Sequence, residues 1–158
     1  MTAAPSTRKV HWPPWLTLLL LAPLLGEVVS GHQPPAELCN PLSVALLMLP
    51  YGLGALVCRE LVRRWRKGWP SLLLLGVAYG VDEEGLVVRS FFDPNWSALS
   101  ALDQNAYLGG VNWIYSIMLV HFHVIVSVGA SVILAEIIYA DRRAEPWLSG
   151  KGLAAASI

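Results

Sequence analysis

The sequence is short of charge. Asp, Glu, Lys and Arg make up only 14% of its 158 residues, and 55% are hydrophobic, whereas roughly a quarter of a soluble domain is charged. Together with long apolar runs, this excludes an ordinary soluble domain and implies an integral membrane protein. Net charge is lacking too, at zero, so nucleic acid has no electrostatic support as a partner. Cysteine is scarce. Cys39 and Cys58 allow at most one disulfide, and the topology below sets them on opposite sides of the membrane, which excludes an intrachain bridge. No CxxC or related spacing marks a metal site. No cofactor is identified, and no internal repeat is visible.

What is present is a set of four apolar segments, about 15–30, 42–62, 69–90 and 111–140, measured against the roughly 20 residues that a spanning helix needs. They predict an all-α fold, a polytopic transmembrane helix bundle with about four spanning helices in a single domain. Gly152–Ile158 reads like the first turns of a further span, which implies a longer protein. Lys and Arg set the orientation. Arg8 and Lys9 precede the first segment, Arg59, Arg63, Arg64, Arg66 and Lys67 close the second, and Arg142, Arg143 and Lys151 follow the fourth. The loops Gly31–Pro41 and Phe91–Gly110 contain neither residue. This alternation predicts a multi-pass protein of the cell membrane with a cytoplasmic N-terminus, Arg89 being the sole exception. A rival reading of the first segment is a cleavable signal peptide, with a basic start, an apolar core and Val28-Val29-Ser30 before Gly31. The expected partners are the lipid bilayer and other membrane helices, including those of a second copy.

The loops carry local signals. Gly31–Pro41 holds several prolines and predicts an irregular connection. Asp93 followed by Pro94 predicts a short helix lying on the outer surface, with Phe91, Phe92 and Trp96 at headgroup level. Trp12, Trp15, Trp65, Trp69 and Trp147 fall near the cytoplasmic boundary.

Three consecutive acids, Asp82, Glu83 and Glu84, interrupt the third segment in YGVDEEGLVVR. At 1.5 Å per residue, Glu83 and Glu84 lie about 20 Å along from Pro70, and His121 and His123 about 15–18 Å from the outer end of the fourth segment. The two pairs therefore fall at similar depth. Gly76, Gly80 and Glu84 follow one ridge, and Gly76-Val-Ala-Tyr-Gly80 is a GxxxG motif that admits a neighbouring backbone. On the fourth segment Asn112, Ser116, His123, Ser127 and Ser131 form a polar stripe, with His121 about 200° away from His123. A charge at the centre of a membrane helix costs about 2.5–3.5 kcal/mol, so these acids must face other helices or a wet cavity. Glu83, Glu84 and His123 are the candidate catalytic residues, and Glu27, Arg89, Asn112 and His121 make up a wider ion-pair or polar-cluster set. Glu27 and Arg89 are expected to form a cross-helix ion pair. Glu60 is expected to pair with Arg63 or Arg64, and Glu136 lies near Arg142 and Arg143.

The line YGLGALVCRELVRRWRKGWPSLLLLGVAYGVDEEGLVVRSFFDPNW, with GVNW and FHVIVS downstream, resembles a group of uncharacterised prokaryotic polytopic membrane proteins from Gly26 to Trp147. The resemblance implies a membrane location and a longer full-length protein. Adjacent glutamates with a histidine on a later helix also resemble the CAAX-type intramembrane glutamic proteases, in which Glu and His activate water for peptide hydrolysis. Their EExxxR motif has three residues before the arginine, whereas four stand between Glu84 and Arg89 here. Their further histidine and Asn/Asp motifs are missing, and His11 and His32 flank the first segment.

Three functions fit these residues. The first is a structural, accessory or partner-binding bundle held by a Glu/His cluster. The second is an intramembrane hydrolase, with Glu84 and Glu83 as general base and His123 stabilising an oxyanion or helping to hold a metal. The third is a proton- or cation-coupled transporter component with Glu27 and Glu136 at the ends of its path.

Overall fold

The computed structural model describes residues 12–97, 99 and 106–157. Arg8, Lys9 and His11 lie outside the described residues, as does most of the 98–105 stretch. The fold is helical. Helix α1 spans Pro14–Val29 and α2 Pro41–Arg64. Helix α3 runs over 69–87, α4 over Trp113–Ile138, and α5 over Gly150–Ala156. Helices α2 and α4, with 24 and 26 residues, are long and apolar enough to cross a membrane.

Local chemistry sets the ends. Pro14, Pro41 and Pro70 stand in the first turns of α1, α2 and α3, where the missing N–H is no loss. Asn40 Oδ1 accepts the Leu42 N–H, and Asn112 Oδ1 accepts the Tyr115 N–H, each at 3.0 Å. These side chains satisfy donors that the first turn leaves open. Beyond α2 and α3, Arg66 and Arg89 take positive φ values of 54° and 64°, turning the chain out of the helix.

The outer connection departs from expectation. Asp93 Oδ1 accepts the Asn95 N–H at 2.9 Å, so it closes a local turn and caps no helix among the described residues. Residues 91–97 form turns. Tyr107–Leu108 (β1) and Val111–Asn112 (β2) then pair as a small antiparallel hairpin. Its turn is Gly109-Gly110, with φ values of 63° and 80°, the conformation that two-residue hairpins require. Helix α4 consequently starts at Trp113, two residues later than the apolar run suggests.

Each of the four longer helices contains a stretch of wide π-type turns: Leu24–Val29, Met48–Leu53, Asp82–Val87 and His123–Ala130. Pro23 precedes the first and Pro50 lies inside the second, and a proline removes the donor of a regular i→i−4 bond. In α3 the Val88 N–H reaches back to the Glu83 carbonyl at 2.8 Å, an i→i+5 bond. Such turns rotate successive side chains through smaller angles than an α-helix does, and they recur at functional sites.

Packing of α3 on α4 rests on two glycines. A Cβ on Gly76 would come within 3.3 Å of the Val124 Cα, and one on Gly80 within 3.1 Å of the His123 Cβ and 3.3 Å of the Val120 Cα. The GxxxG ridge therefore lies directly against the backbone that carries His123.

The bundle is layered along its axis. At one end Arg59, Glu60 and Glu136 are buried. Arg59 pairs with Glu60 and Glu136 at 3.0 Å, and Arg63 with Glu136 at 2.6 Å. The middle is apolar, with Leu18, Ala22, Ala55, Val128 and Val132 fully buried. Glu60 does pair with Arg64, at 3.5 Å. Glu136, however, takes Arg59 and Arg63 rather than the arginines downstream of it, because the second helix brings those two across the bundle. Arg142 pairs with Glu145 instead.

A candidate Glu–Glu–His centre

The remaining layer lies toward the α1–α2 and α3–α4 connections. Here α3 presents Glu83 and Glu84 to His123 of α4, and all three are buried. His123 Nε2 lies 3.0 Å from Glu83 Oε2 and 3.1 Å from Glu84 Oε1. Adjacent residues on a regular helix point about 100° apart; the wide turn at Asp82–Val87 brings both carboxylates to one ring nitrogen. The other nitrogen, Nδ1, lies 3.0 Å from Ser127 Oγ. Ser90 Oγ donates to Glu84 Oε2.

The two carboxylates are not equivalent. Glu84 is held from both sides, by His123 and Ser90. Glu83 Oε2 is buried and has no hydrogen bond, although the imidazole is close. Of the two carboxylate contacts to Nε2, the one to Glu84 has hydrogen-bond geometry and the one to Glu83 does not. Its compensation therefore comes from the imidazole at 3.0 Å and not from a hydrogen bond.

Aromatic rings wall the centre. Tyr51, Tyr79 and Phe122 lie with ring centroids 5.7, 5.4 and 5.7 Å from that of His123. A cleft of about 320 Å³ reaches the group, lined by Glu27, His32, Gln33, Tyr51, Trp96 and Ser97 besides the triad. Glu27, Tyr51, Glu83, Glu84, His123 and Ser127 all fall in the four π-type stretches.

The structure thus brings Glu83, Glu84 and His123 together. Asn112 is buried nearby as the cap of α4, and its N–H donates to the Phe91 carbonyl at 2.9 Å. Ser116, Ser127 and Ser131 of the polar stripe are buried as well. His121 is exposed and sits 2.8 Å from the Ile117 carbonyl through Nδ1, apart from the cluster. Among the described residues no ion pair joins Glu27 and Arg89. The helix ends before Arg89 and its backbone turns the exposed side chain away, while Glu27 lines the cleft. Sequence reading missed Tyr51, Tyr79 and Ser90. Ser90 follows the helix and reaches back only because the chain turns at Arg89. Cys39 and Cys58 are both free.

Polar groups are buried while Leu74, Leu86, Ile114, Ile117, Ile125 and Ile137 are exposed. A bundle with charges inside and large aliphatics outside belongs in lipid rather than water, which defines a helical membrane protein. The chain belongs to a family described as "Uncharacterized membrane protein family", matched over residues 16–158. No curated protein and no solved structure matches the chain.

Proposed function

We propose that this protein is a multi-pass membrane hydrolase whose Glu83, Glu84 and His123 activate a water molecule entering through the cleft. The observation that carries the reading is the convergence of two carboxylates on one buried imidazole, with Glu83 Oε2 left free to accept a proton. In this reading the glutamate pair takes a proton from water as the hydroxyl adds to a carbonyl carbon. His123, held by Ser127 at Nδ1, keeps the two carboxylates together through Nε2. The proton then passes to the leaving group. Glu27 and Tyr51 line the route by which the polar part of a substrate reaches the centre.

Helices α1, α2, α3 and α4 are the four crossings in this proposal, with the N-terminus cytoplasmic and the cleft opening outward. The arginine-rich end of α2 supports that orientation, as do the connections lining the cleft, where Arg89 is the one Lys or Arg between α1 and α2 or between α3 and α4.

The test compares membrane peptides from cells carrying the wild-type chain or abundance-matched Glu83→Gln, Glu84→Gln and His123→Gln variants. Cleavage products present with the wild type and lost with all three are expected. Identical peptide profiles at equal abundance would contradict hydrolysis. A helix-fastening role is the second reading, supported by the hydrogen bonds of His123 to Ser127 and Glu84. The transport reading gains no such support: the fully buried apolar layer of Leu18, Ala22, Ala55, Val128 and Val132 separates Glu27 from Glu136.

A further inference from the structure

The three atoms that meet at the floor of the cleft have the chemistry of a cation site. Glu83, Glu84 and His123 each offer one ligand atom, and these atoms all lie within 4.8 Å of one another. Nε2 lies 3.0 and 3.1 Å from the two carboxylate oxygens. Metal–ligand bonds of about 2.0–2.2 Å at right angles place neighbouring ligand atoms roughly 3 Å apart, so the two edges at Nε2 have the required length, while the edge between the carboxylate oxygens lies within 4.8 Å.

The surrounding hydrogen bonds point the same way. Ser127 Oγ at Nδ1 can accept that nitrogen's proton, which leaves the Nε2 lone pair directed at the carboxylates. Ser90 occupies Glu84 Oε2 and leaves Oε1 facing His123. Metal-binding histidines and carboxylates are oriented by outer partners of this kind. Glu83 Oε2, buried and without a hydrogen bond, is aimed at the same point.

Charge supports the match. Two ionised carboxylates beside a neutral imidazole carry a charge of −2 in a site walled by aromatic rings, and a divalent cation neutralises it. Two oxygens and one imidazole nitrogen suit a first-row transition ion, since Mg²⁺ and Ca²⁺ favour all-oxygen shells and Cu⁺ favours sulfur. Three protein ligands leave positions open toward the cleft.

We infer that Glu83 Oε2, Glu84 Oε1 and His123 Nε2 form a binding site for one divalent first-row transition ion at the floor of the cleft. The inference rests on the hydrolase reading of the same centre but gives Glu83 Oε2 and Glu84 Oε1 a different part: with an ion bound they hold it instead of taking the proton from water. Hydrolysis by the glutamate pair does not require it, so the two fail separately.

Purified full-length protein in lipid nanodiscs, stripped with a chelator, is titrated with Co²⁺ and then with Zn²⁺ as competitor. The expected result is about one Co²⁺ per chain with a visible ligand-field spectrum, displaced by Zn²⁺. His123→Gln and Glu84→Gln abolish it, His121→Gln leaves it unchanged, and Ser127→Ala weakens affinity about 10–100-fold. Ser127→Ala retains all three ligands and serves where the other variants fail to fold. Absence of stoichiometric Co²⁺ or Zn²⁺ binding by the wild type would overturn the site, as would undiminished binding in Ser127→Ala together with His123→Gln. Loss of peptide cleavage in the glutamate variants of a protein that binds no ion would leave hydrolysis standing without the metal.

Discussion

His123 is held through both ring nitrogens, and each contact has a different consequence. The Ser127 contact at Nδ1 fixes the ring's angle, while Nε2 meets the acids. Replacing Ser127 with Ala removes one neutral hydrogen bond, worth about 0.5–1.5 kcal/mol. The expected outcome is a modest fall in melting temperature beside a much larger loss of hydrolytic rate. His121→Gln, on the exposed side of the same helix, is expected to change neither. Measuring thermal unfolding and peptide cleavage on the two variants separates a ring that works from a ring that only packs. The pair of histidines also marks how far residue types could be read from the chain. Helical spacing separated His121 from His123, and the depth count matched His123 to Glu84. The depth count included Glu83 as well, but the glycine ridge aimed only Glu84 at the neighbouring helix; that Glu83 meets the same nitrogen depends on a wide turn. Spacing rules for a regular helix put Glu83 about 100° from Glu84, yet both reach the same nitrogen.

At the scale of elements, contact between α3 and α4 depends on missing side chains. Adding a Cβ at Gly80 forces atoms of His123 and Val120, at 3.1 and 3.3 Å, to move. Gly80→Val is expected to destabilise the bundle by about 1–3 kcal/mol and to displace His123, read as a lowered melting temperature in detergent. A second joint lies at the opposite end. Glu60 accepts the Trp147 and Leu148 N–H groups at 2.7 and 3.1 Å, and the Arg59 guanidinium sits 3.2 Å from the centre of the Trp147 ring. This fastens the segment after α4 to α2. Glu60→Ala leaves Arg59 with one acid fewer, and breaking a buried pair costs about 3–5 kcal/mol. Limited proteolysis is expected to cut near Trp147 in the variant and not in the wild type. The GxxxG ridge was legible in the sequence because its four-residue spacing is local. The Glu60 joint was not, since its main partners are backbone N–H groups 87 and 88 positions away. Interruptions at Pro23 and Pro50 were visible as prolines, but their effect was not. The apolar runs concealed that each long helix widens at the layer where the centre forms.

For the whole molecule, orientation is the property most open to a direct check. Cys39 is exposed in the α1–α2 connection, and Cys58 is buried, so one native thiol reports on one face. A membrane-impermeant maleimide is expected to label Cys39 in intact cells. A Cys39→Ser, Arg66→Cys double variant is expected to react only after lysis. Labelling of Cys39 only after lysis would reverse the proposed orientation, and the cleft would then open to the cytoplasm. The layered interior follows from the composition: few charges are present, and most of those inside the bundle are concentrated at its two ends. Glu83 is the most informative of them, because its Oε2 meets the imidazole at 3.0 Å without a hydrogen bond and so adds less to a fastening than Glu84 does. Sites that work are often less stable than their neutralised variants. The decisive measurement is therefore the melting temperature of Glu83→Gln beside wild type, both chelator-treated and in the same lipid nanodiscs. A working centre predicts that Glu83→Gln melts at the same or a higher temperature while losing peptide cleavage. A lower melting temperature with cleavage products unchanged would contradict it and leave the triad as a fastening between α3 and α4.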